Sequence, residues 1–248
     1  MVTSIFVPIS ISGIWYPVLS KNPIESGSIG IGLVLDPYIE AKVIRGDPEI
    51  ILNGEKIYFP NVYILKTLGG VKVEISTNIP LGYGYGMSAA LSLAYALGAS
   101  NLYNVKEEKA IRTAHISEVI NGNGLGDIEA EYIGGGLIYR EVPGFPGKIR
   151  KIDVEFNRQQ ICSKPIERME TKGIIKNNPK ALQYIDEFLS NPSIENFFNQ
   201  ARKFTEDLGM FSPYPNSFRK KGLIIRMGEC KSQGWIVHNL AKIGAHQE

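Results

Sequence analysis

The chain has 248 residues, enough for one large domain or two small ones with a sizeable hydrophobic core. Hydrophobic residues make up 44% and charged residues 21%, with 27 Lys and Arg against 25 Asp and Glu, which excludes disordered, collagen-like and coiled-coil classes and gives no general field for polyanions. No run approaches the roughly 18–20 apolar residues of a membrane span, and the two cysteines and three histidines lack zinc-ligand spacing, so we expect a cytoplasmic, zinc-free protein with neither membrane nor nucleic acid as a partner.

The first third of the chain is predicted to form strands, because β-branched and aromatic residues recur in short runs that suit a pleated surface. An Asn53-Gly54 pair between two of these runs is typical of a hairpin turn. The predicted strands cover residues 4–7, 28–35, 38–44, 50–52, 56–59 and 71–77.

Helices follow the strands. Residues 88–97 are small and apolar almost all round, which predicts a buried helix, and Asn104 with Glu107 three residues later predicts a capped start for a helix over 105–120. A helix over 127–133 and a strand over 137–142 come next, and PGFPG at 143–147 interrupts regular structure. We expect extended chain over 148–154 and amphipathic helices over 180–189 and 194–208. Strands followed by helices without strict alternation indicate an α+β fold.

A glycine-rich loop, PLGYGYGMSAA at residues 80–90, lies between a predicted strand and the buried helix. Glycine permits close backbone approach, and the first N–H groups of a helix lack partners, so the loop is suited to a phosphate. A tight packing turn explains it equally well. The absence of lysine from 74 to 105 excludes a P-loop. Gly84, Gly86 and Ala89 have the GxGxxA spacing of a dinucleotide site, but the acidic residues about 20 positions further on, Glu107 and Glu108, lie at a predicted helix start rather than at the end of a second strand.

A second glycine-rich loop, NGNGLGD at residues 121–127, ends in Asp127. This carboxylate is suited to bind Mg²⁺ or accept a proton from a hydroxyl group, or else it caps the helix that follows. Glu118 projects from a partly apolar strip of the preceding helix, where an unpaired carboxylate is costly. A metal ion or a structural pairing with His115 would each explain it.

A third glycine-rich segment, GSIGIG at residues 27–32, follows Asn22-Pro23. Glycine alternating with Ser and Ile fits a strand whose face is approached closely by another backbone or by a ligand. The sequence favours neither interpretation over the other.

In this order, the three segments resemble those of the GHMP kinase superfamily, whose second motif runs PxxxGLGSSAA. The chain has Tyr85 in place of the leucine and Met87 in place of the first serine, and it matches at Pro80, Gly84, Gly86, Ser88, Ala89 and Ala90. The GMS sequence, the early ISG turn, the glycine-rich strand and NGxGLGD together look most like the archaeal branch whose acceptor is pantoate. The resemblance covers roughly residues 4–147.

The resemblance implies an ATP- and Mg²⁺-dependent kinase of a small hydroxy acid, pantoate. It implies a GHMP kinase fold, with a two-layer nucleotide-binding domain containing a left-handed βαβ crossover over residues 1–146 and a ferredoxin-like α+β domain over 147–248. Asp127 would be the catalytic base, and Ser88 and Glu118 would hold Mg²⁺. The substrate would contact Ser10, Ser28 and Gly124, and the ATP phosphates would contact Pro80, Gly82, Gly84, Tyr85, Gly86, Met87, Ser88, Ala89 and Ala90.

Departures from the family pattern concern the acceptor. Ser10 stands where the first motif often has a histidine, and Ile29 stands where the pantoate branch has an arginine. Candidates for holding the substrate carboxylate are Arg112, His115 and Lys21. The first alternative is a kinase of homoserine, shikimate or mevalonate; a non-catalytic nucleotide-binding relative and a nicotinamide oxidoreductase are the others. A homodimer is left open.

Overall fold

The computed structural model of the chain describes residues 2–154, 160–169, 178–231 and 233–248. Twelve strands are formed within these residues. They are β1 (Val2–Val18), β2 (Gly27–Arg45), β3 (Glu49–Leu52), β4 (Glu55–Ile57), β5 (Val71–Ile75), β6 (Leu137–Val142), β7 (Lys148–Lys151), β8 (Ile161–Pro165), β9 (Ser217–Lys220), β10 (Leu223–Met227), β11 (Ile236–His238) and β12 (His246–Gln247).

Six α-helices lie in the same described residues. They are α1 (Val62–Leu65), α2 (Met87–Tyr103), α3 (Glu107–Asn121), α4 (Asp127–Ile133), α5 (Ala181–Ser190) and α6 (Ile194–Asp207). None of the helices that the structure describes is both long and apolar enough to traverse a bilayer.

The larger sheet has eight strands in the order β12-β1-β2-β5-β3-β4, with β6 also paired to β2 and β7 to β6. β1 and β2 are antiparallel along most of their length, whereas β3 pairs with β5 in parallel. α2 is buried almost all round, as its small apolar residues predict, and it contacts β1, β2 and α3. The sheet and its helices therefore form two packed layers.

The smaller sheet has four antiparallel strands in the order β11-β8-β10-β9. Its inner face contributes Phe218, Leu223 and Ile225 to the main hydrophobic core. α6 contacts both β9 and β1 and so joins the two sheets. This mixed arrangement confirms the predicted α+β class.

The local predictions are confirmed where the sequence signal is strong. The Asn53-Gly54 hairpin joins β3 to β4, and α4 and β6 have the predicted bounds. The predicted capping box is wrong. Asn104 has a left-handed conformation (φ 54°) at the end of α2, which asparagine tolerates well, and the N-cap residue of α3 is Lys106.

The sequence patterns do not predict most of the strands beyond residue 154. β8, β9 and β10 are short, and none of them has a turn signal of the Asn-Gly type. The 28–35 and 38–44 runs form one strand, β2, which continues through Pro37.

The end of the chain returns to the larger sheet. β12 pairs with β1 at Ile5 and Phe6, and Leu240 forms a bridge with Leu35. The domain boundary between residues 146 and 147 stays a prediction. β7 and β12, which belong to the predicted second domain, pair within the larger sheet. A disulfide, which the sequence did not predict, joins Cys162 on β8 to Cys230 with 6.0 Å between their Cα atoms.

Candidate active site

The glycine-rich loop at residues 80–90 folds as a phosphate-binding turn would. Gly82, Gly84 and Gly86 all have positive φ angles (91°, 105° and 75°), which residues with a side chain adopt with strain. Gly86 is the N-cap of α2 and has no side chain to bond the first N–H groups of that helix. Those N–H groups and the helix dipole favour an anion at this position. Tyr85, Met87, Ala89 and Ala90 pack inward and fix the turn.

Gly86 has no room for a side chain. A Cβ there would lie 2.1 Å from Glu131 Oε1 and 2.5 Å from Ser10 Oγ, and the Ser10 hydroxyl donates to Glu131 Oε1 at 2.8 Å. Ser10 therefore lies directly against Gly86 and is hydrogen-bonded to Glu131 of α4. Glu131 is fully buried, and its Oε2 has no hydrogen-bond partner among the described residues. Burial raises its pKa well above the usual range, and the Asp127 carboxylate raises it further.

Glu118 is held by a polar network directly beside the start of α2. Its Oε1 accepts hydrogen bonds from Ser88 Oγ (2.6 Å), Asn61 Nδ2 (2.5 Å) and Ser92 Oγ (3.2 Å). Asn61 is itself buried and accepts at Oδ1 from Asn123 Nδ2 at 2.8 Å. The pairing of Glu118 with His115 is therefore wrong, because His115 bonds the Ser26 carbonyl group instead.

The Glu118 carboxyl group is costly to ionise in its present surroundings. Burial raises its pKa to about 7, and the nearby Asp127 adds to the rise, while the hydrogen bonds from Ser88, Asn61 and Ser92 oppose it. A nearby cation would relieve this cost. The described residues contain no cluster of three or more His, Cys, Asp or Glu suited to a metal, so an ion here would need phosphate or water oxygens to complete its shell.

Gly124 lies between two carboxylates. A Cβ on Gly124 would lie 3.2 Å from Asp127 Oδ2 and 3.3 Å from Glu118 Oε2. Because Gly124 has no side chain, no side-chain atom at this position separates the two oxygens. α4 begins at Asp127 with Gly126 as its N-cap, so the alternative that Asp127 caps the helix is wrong.

A small open cleft lies beside Gly124 and Asp127. The first sheet and the 121–127 loop line one side, and the turn after β9 lines the other. The lining residues are Ser12, Trp15, Ser28, Asn123, Gly124, Leu125, Gly126, Asp127, Lys220 and Lys221.

Arg140 on β6 was missed by the sequence analysis. It is 2% exposed, and its Nε and Nη2 have no hydrogen-bond partner among the described residues. A Cβ on Gly126 would lie 2.6 Å from its Nε and one on Gly30 2.9 Å from its Nη2, so the guanidinium group lies under the glycine-rich strand at residues 27–32. Burial lowers its pKa, and Asp127 and Glu129 favour its charged form. The signal was present, since Arg140 shares the inward face of β6 with Ile138.

The other candidates for a substrate carboxylate lie elsewhere. Arg112 and Lys21 are exposed. His115 is buried and bonded to Ser26, and burial lowers its pKa. Ser28 lines the cleft, and its Oγ would be 2.9 Å from a Cβ on Gly126, so its contact with the substrate stays a prediction.

Tyr85 explains one departure from the family motif. Its buried hydroxyl lies 2.7 Å from Ser163 Oγ, which lies 2.7 Å from His238 Nε2, and His238 Nδ1 lies 2.6 Å from the Asp36 carbonyl oxygen. A leucine could not form this chain. The tyrosine therefore fastens the glycine loop to β8 and β11 of the second sheet.

Tyr85→Phe should lower the free energy of unfolding by roughly 1–3 kcal/mol, because it leaves the buried Ser163 hydroxyl with one partner fewer. Urea denaturation measures the change. Tyr58→Phe is the matched control, since Tyr58 is 83% exposed, and it should leave stability unchanged. Equal stability of Tyr85→Phe and wild type would contradict a structural role for the hydrogen-bonded chain.

Comparisons with known proteins agree with this geometry. Residues 56–135 match the family described as GHMP kinases N terminal domain. A pantoate kinase of Methanocaldococcus jannaschii is 33% identical over 221 residues, which cover 84% of this chain and 81% of the relative. A pantoate kinase of Methanospirillum hungatei is 28% identical over 225 residues, which cover 84% of this chain and 76% of the relative.

Among solved structures, a "phosphotransferase related to CoA biosynthesis pathway" has a TM-score of 0.84 at 21% identity and covers 100% of this chain and 99% of its own. The fold is that of the GHMP kinases, and the relative that is 33% identical over 84% of this chain defines a small-molecule kinase of this class. Within that class, the chain belongs to the pantoate kinase family.

Proposed function

We propose that this chain transfers the γ-phosphoryl group of ATP to the primary hydroxyl of pantoate, giving 4-phosphopantoate for coenzyme A synthesis. The observation that carries the proposal is the pair of carboxylates on either side of Gly124, with the glycine loop beside them and Arg140 buried behind Gly126 of the cleft wall. Phosphoryl transfer requires alignment and charge neutralisation rather than covalent catalysis, and these groups supply both.

The nucleotide would bind with its phosphates on the glycine loop and the start of α2. Ser88 Oγ and the Glu118 carboxylate would hold Mg²⁺, which fits a buried carboxyl group whose pKa is raised by burial and by the nearby Asp127. When bound, Mg²⁺ neutralises charge on the phosphate oxygens. Asn61 and Ser92 would keep the Glu118 carboxylate in place through their own hydrogen bonds.

Asp127 would orient the acceptor hydroxyl and accept its proton. Its Oδ2 faces the space beside Gly124, opposite the Glu118 oxygen. Arg140 would hold the carboxylate of pantoate, because its unpartnered Nε and Nη2 are suited to a planar anion. It would bind the substrate carboxylate, the role for which Arg112, His115 and Lys21 are the candidates in the sequence.

Arg140→Met should raise the KM for pantoate at least about tenfold, because a charge-assisted hydrogen bond to a carboxylate is worth roughly 1.5–3 kcal/mol. The KM for ATP should change little. Steady-state kinetics with each substrate varied in turn measures both. Arg112→Met is the matched control on an exposed arginine. A larger effect on ATP than on pantoate would contradict the assignment of Arg140 to the acceptor.

The acceptor is tested by comparing kcat/KM for ADP formation with pantoate, homoserine, shikimate and mevalonate. We expect pantoate to exceed the others by at least about 10², because all four acceptors carry a carboxylate for Arg140 but differ in the groups around the reacting hydroxyl or in its distance from the carboxylate. Preference for another acceptor would favour the first alternative. ATP binding without turnover on any of them would favour a non-catalytic relative, and NADH oxidation with a keto acid would favour an oxidoreductase.

A further inference from the structure

Lys220, the last residue of β9, has no role in the mechanism described so far. It is 7% exposed, lines the cleft and comes from the second sheet rather than the first. Side chains alternate along β9, so Phe218 and Lys220 face inward whereas Arg219 faces away and pairs with Glu167. A buried ammonium group is costly, so its position at a cleft points to a ligand.

The side chain of Lys220 passes close to the glycine loop. A Cβ on Gly84 would lie 3.4 Å from the Lys220 carbonyl oxygen and 3.9 Å from its Cδ. The aliphatic part of the lysine thus lies against the loop that would hold the phosphates. Its charged end interacts with Asp127 and Glu131 of α4.

The surroundings of Lys220 act on its pKa in opposite directions. Burial lowers its pKa most, and Arg140 lowers it further, while Asp127 and Glu131 favour the ammonium form. A phosphate in the cleft adds negative charge beside it, so the charged form gains a partner at the moment when a nucleotide is bound.

We propose that Lys220 is a further catalytic residue, whose ammonium group stabilises the negative charge on the phosphoryl oxygens while that group passes from ATP to the acceptor. The inference rests on the proposed function. In this step the bond from the γ-phosphorus to the β–γ bridging oxygen breaks, and its electron pair leaves with ADP. A bond forms to the acceptor oxygen, and the hydroxyl proton goes to Asp127. Lys220 keeps its proton throughout.

Arg140 and Lys220 would take different partners during the reaction. Arg140 lies by Gly126 and the glycine-rich strand at residues 27–32, whereas Lys220 lies by Gly84 of the phosphate loop. Asp127, where the hydroxyl group would react, interacts with both. Arg140 therefore serves the carboxylate end of the acceptor, and Lys220 serves the phosphoryl group.

Lys220→Met should lower kcat by at least about tenfold, as expected when one preorganised charge-stabilising group is removed. The KM values for ATP and pantoate should stay within about threefold of wild type. The variant should fold, because methionine has nearly the same length and removes a buried charge. Lys220→Arg should recover part of the rate. Arg219→Met, on the opposite face of β9, is the control and should keep the wild-type rate.

A binding measurement tests the same claim without turnover. ADP with aluminium fluoride imitates the planar phosphoryl group in transfer, and its affinity should fall at least about tenfold in Lys220→Met while the affinity of ADP alone is unchanged. Calorimetry with and without pantoate measures this. The titration without pantoate tests Lys220 even if wild type proves inactive on pantoate, a result that would overturn the proposed function alone.

Two results would overturn the role of Lys220. One is a Lys220→Met variant whose kcat and affinity for the fluoride complex are both within threefold of wild type. The other is a rise in the KM for pantoate with kcat unchanged, which would make Lys220 a second ligand of the acceptor carboxylate.

Discussion

Asp127→Asn should lower kcat for phosphoryl transfer to pantoate by about 10²–10⁴-fold while the fold and ATP binding persist. A primary hydroxyl is a poor nucleophile at neutral pH, and a carboxylate within hydrogen-bond reach orients it and accepts its proton. Asparagine has nearly the same size but cannot accept that proton. Because α4 has Gly126 as its N-cap, the substitution removes no cap from the helix.

The measurement is steady-state ADP formation, with calorimetric titration of ATP to show that the nucleotide site is intact. Asp47→Asn, at an exposed position on the loop between β2 and β3, is the control for the loss of one carboxylate. Turnover by Asp127→Asn within about threefold of wild type would contradict the assignment of Asp127 as the base.

Glu118→Gln should abolish most of the activity and yet stabilise the metal-free protein at alkaline pH. Removal of a Mg²⁺ ligand should lower kcat/KM by about 10²–10³-fold, since the ion contributes several kcal/mol of charge stabilisation. Glutamine still accepts the hydrogen bonds of Ser88, Asn61 and Ser92 through its carbonyl oxygen, so the network should remain.

The effect on stability follows from the direction of the pKa shift. The folded pKa of Glu118 is about 7, above its ordinary value of 4.5, so the folded state binds the proton more tightly than the unfolded state. This contribution to stability is complete below about pH 4.5 and is lost as the pH rises through about 7. Glu118→Gln does not titrate and should be more stable than wild type by up to about 3 kcal/mol at pH 8, with little difference at pH 5.

Urea unfolding at the two pH values in the presence of EDTA measures this difference. Glu108→Gln, at an exposed position in the first turn of α3, is the matched control and should show no gain at pH 8. A Glu118→Gln variant less stable than wild type at pH 8 would contradict the burial of an uncompensated carboxyl group in the free protein.

The sequence predicted the parts of the site that are local in the chain. The glycine loop, the start of α2 and the 121–127 loop each have a signature of glycines before a helix, and glycine spacing reports backbone geometry directly. Gly124 shows the same principle, because its closeness to Asp127 and Glu118 is fixed within ten residues of chain.

The parts that depend on tertiary pairing could not be predicted in this way. Lys220 reaches the glycine loop only because β9 lies in a second sheet joined to the first by α6, and β9 is a four-residue strand with a weak pattern. The sequence shows Arg140 only as a charged residue on the inward face of a strand, and its place in the site depends on the pairing of β6 with β2 at Gly30 and Gly32. Asn61, which bonds Glu118, lies 57 residues away in the chain.

The most direct test of the account is to identify the product formed from ATP, Mg²⁺ and pantoate by ³¹P NMR. The account predicts one new phosphomonoester resonance coupled to the two protons on C4 of pantoate, formed in equal amount with ADP and missing with Asp127→Asn. Release of inorganic phosphate alone, or a phosphoryl group on any other oxygen of pantoate, would contradict it.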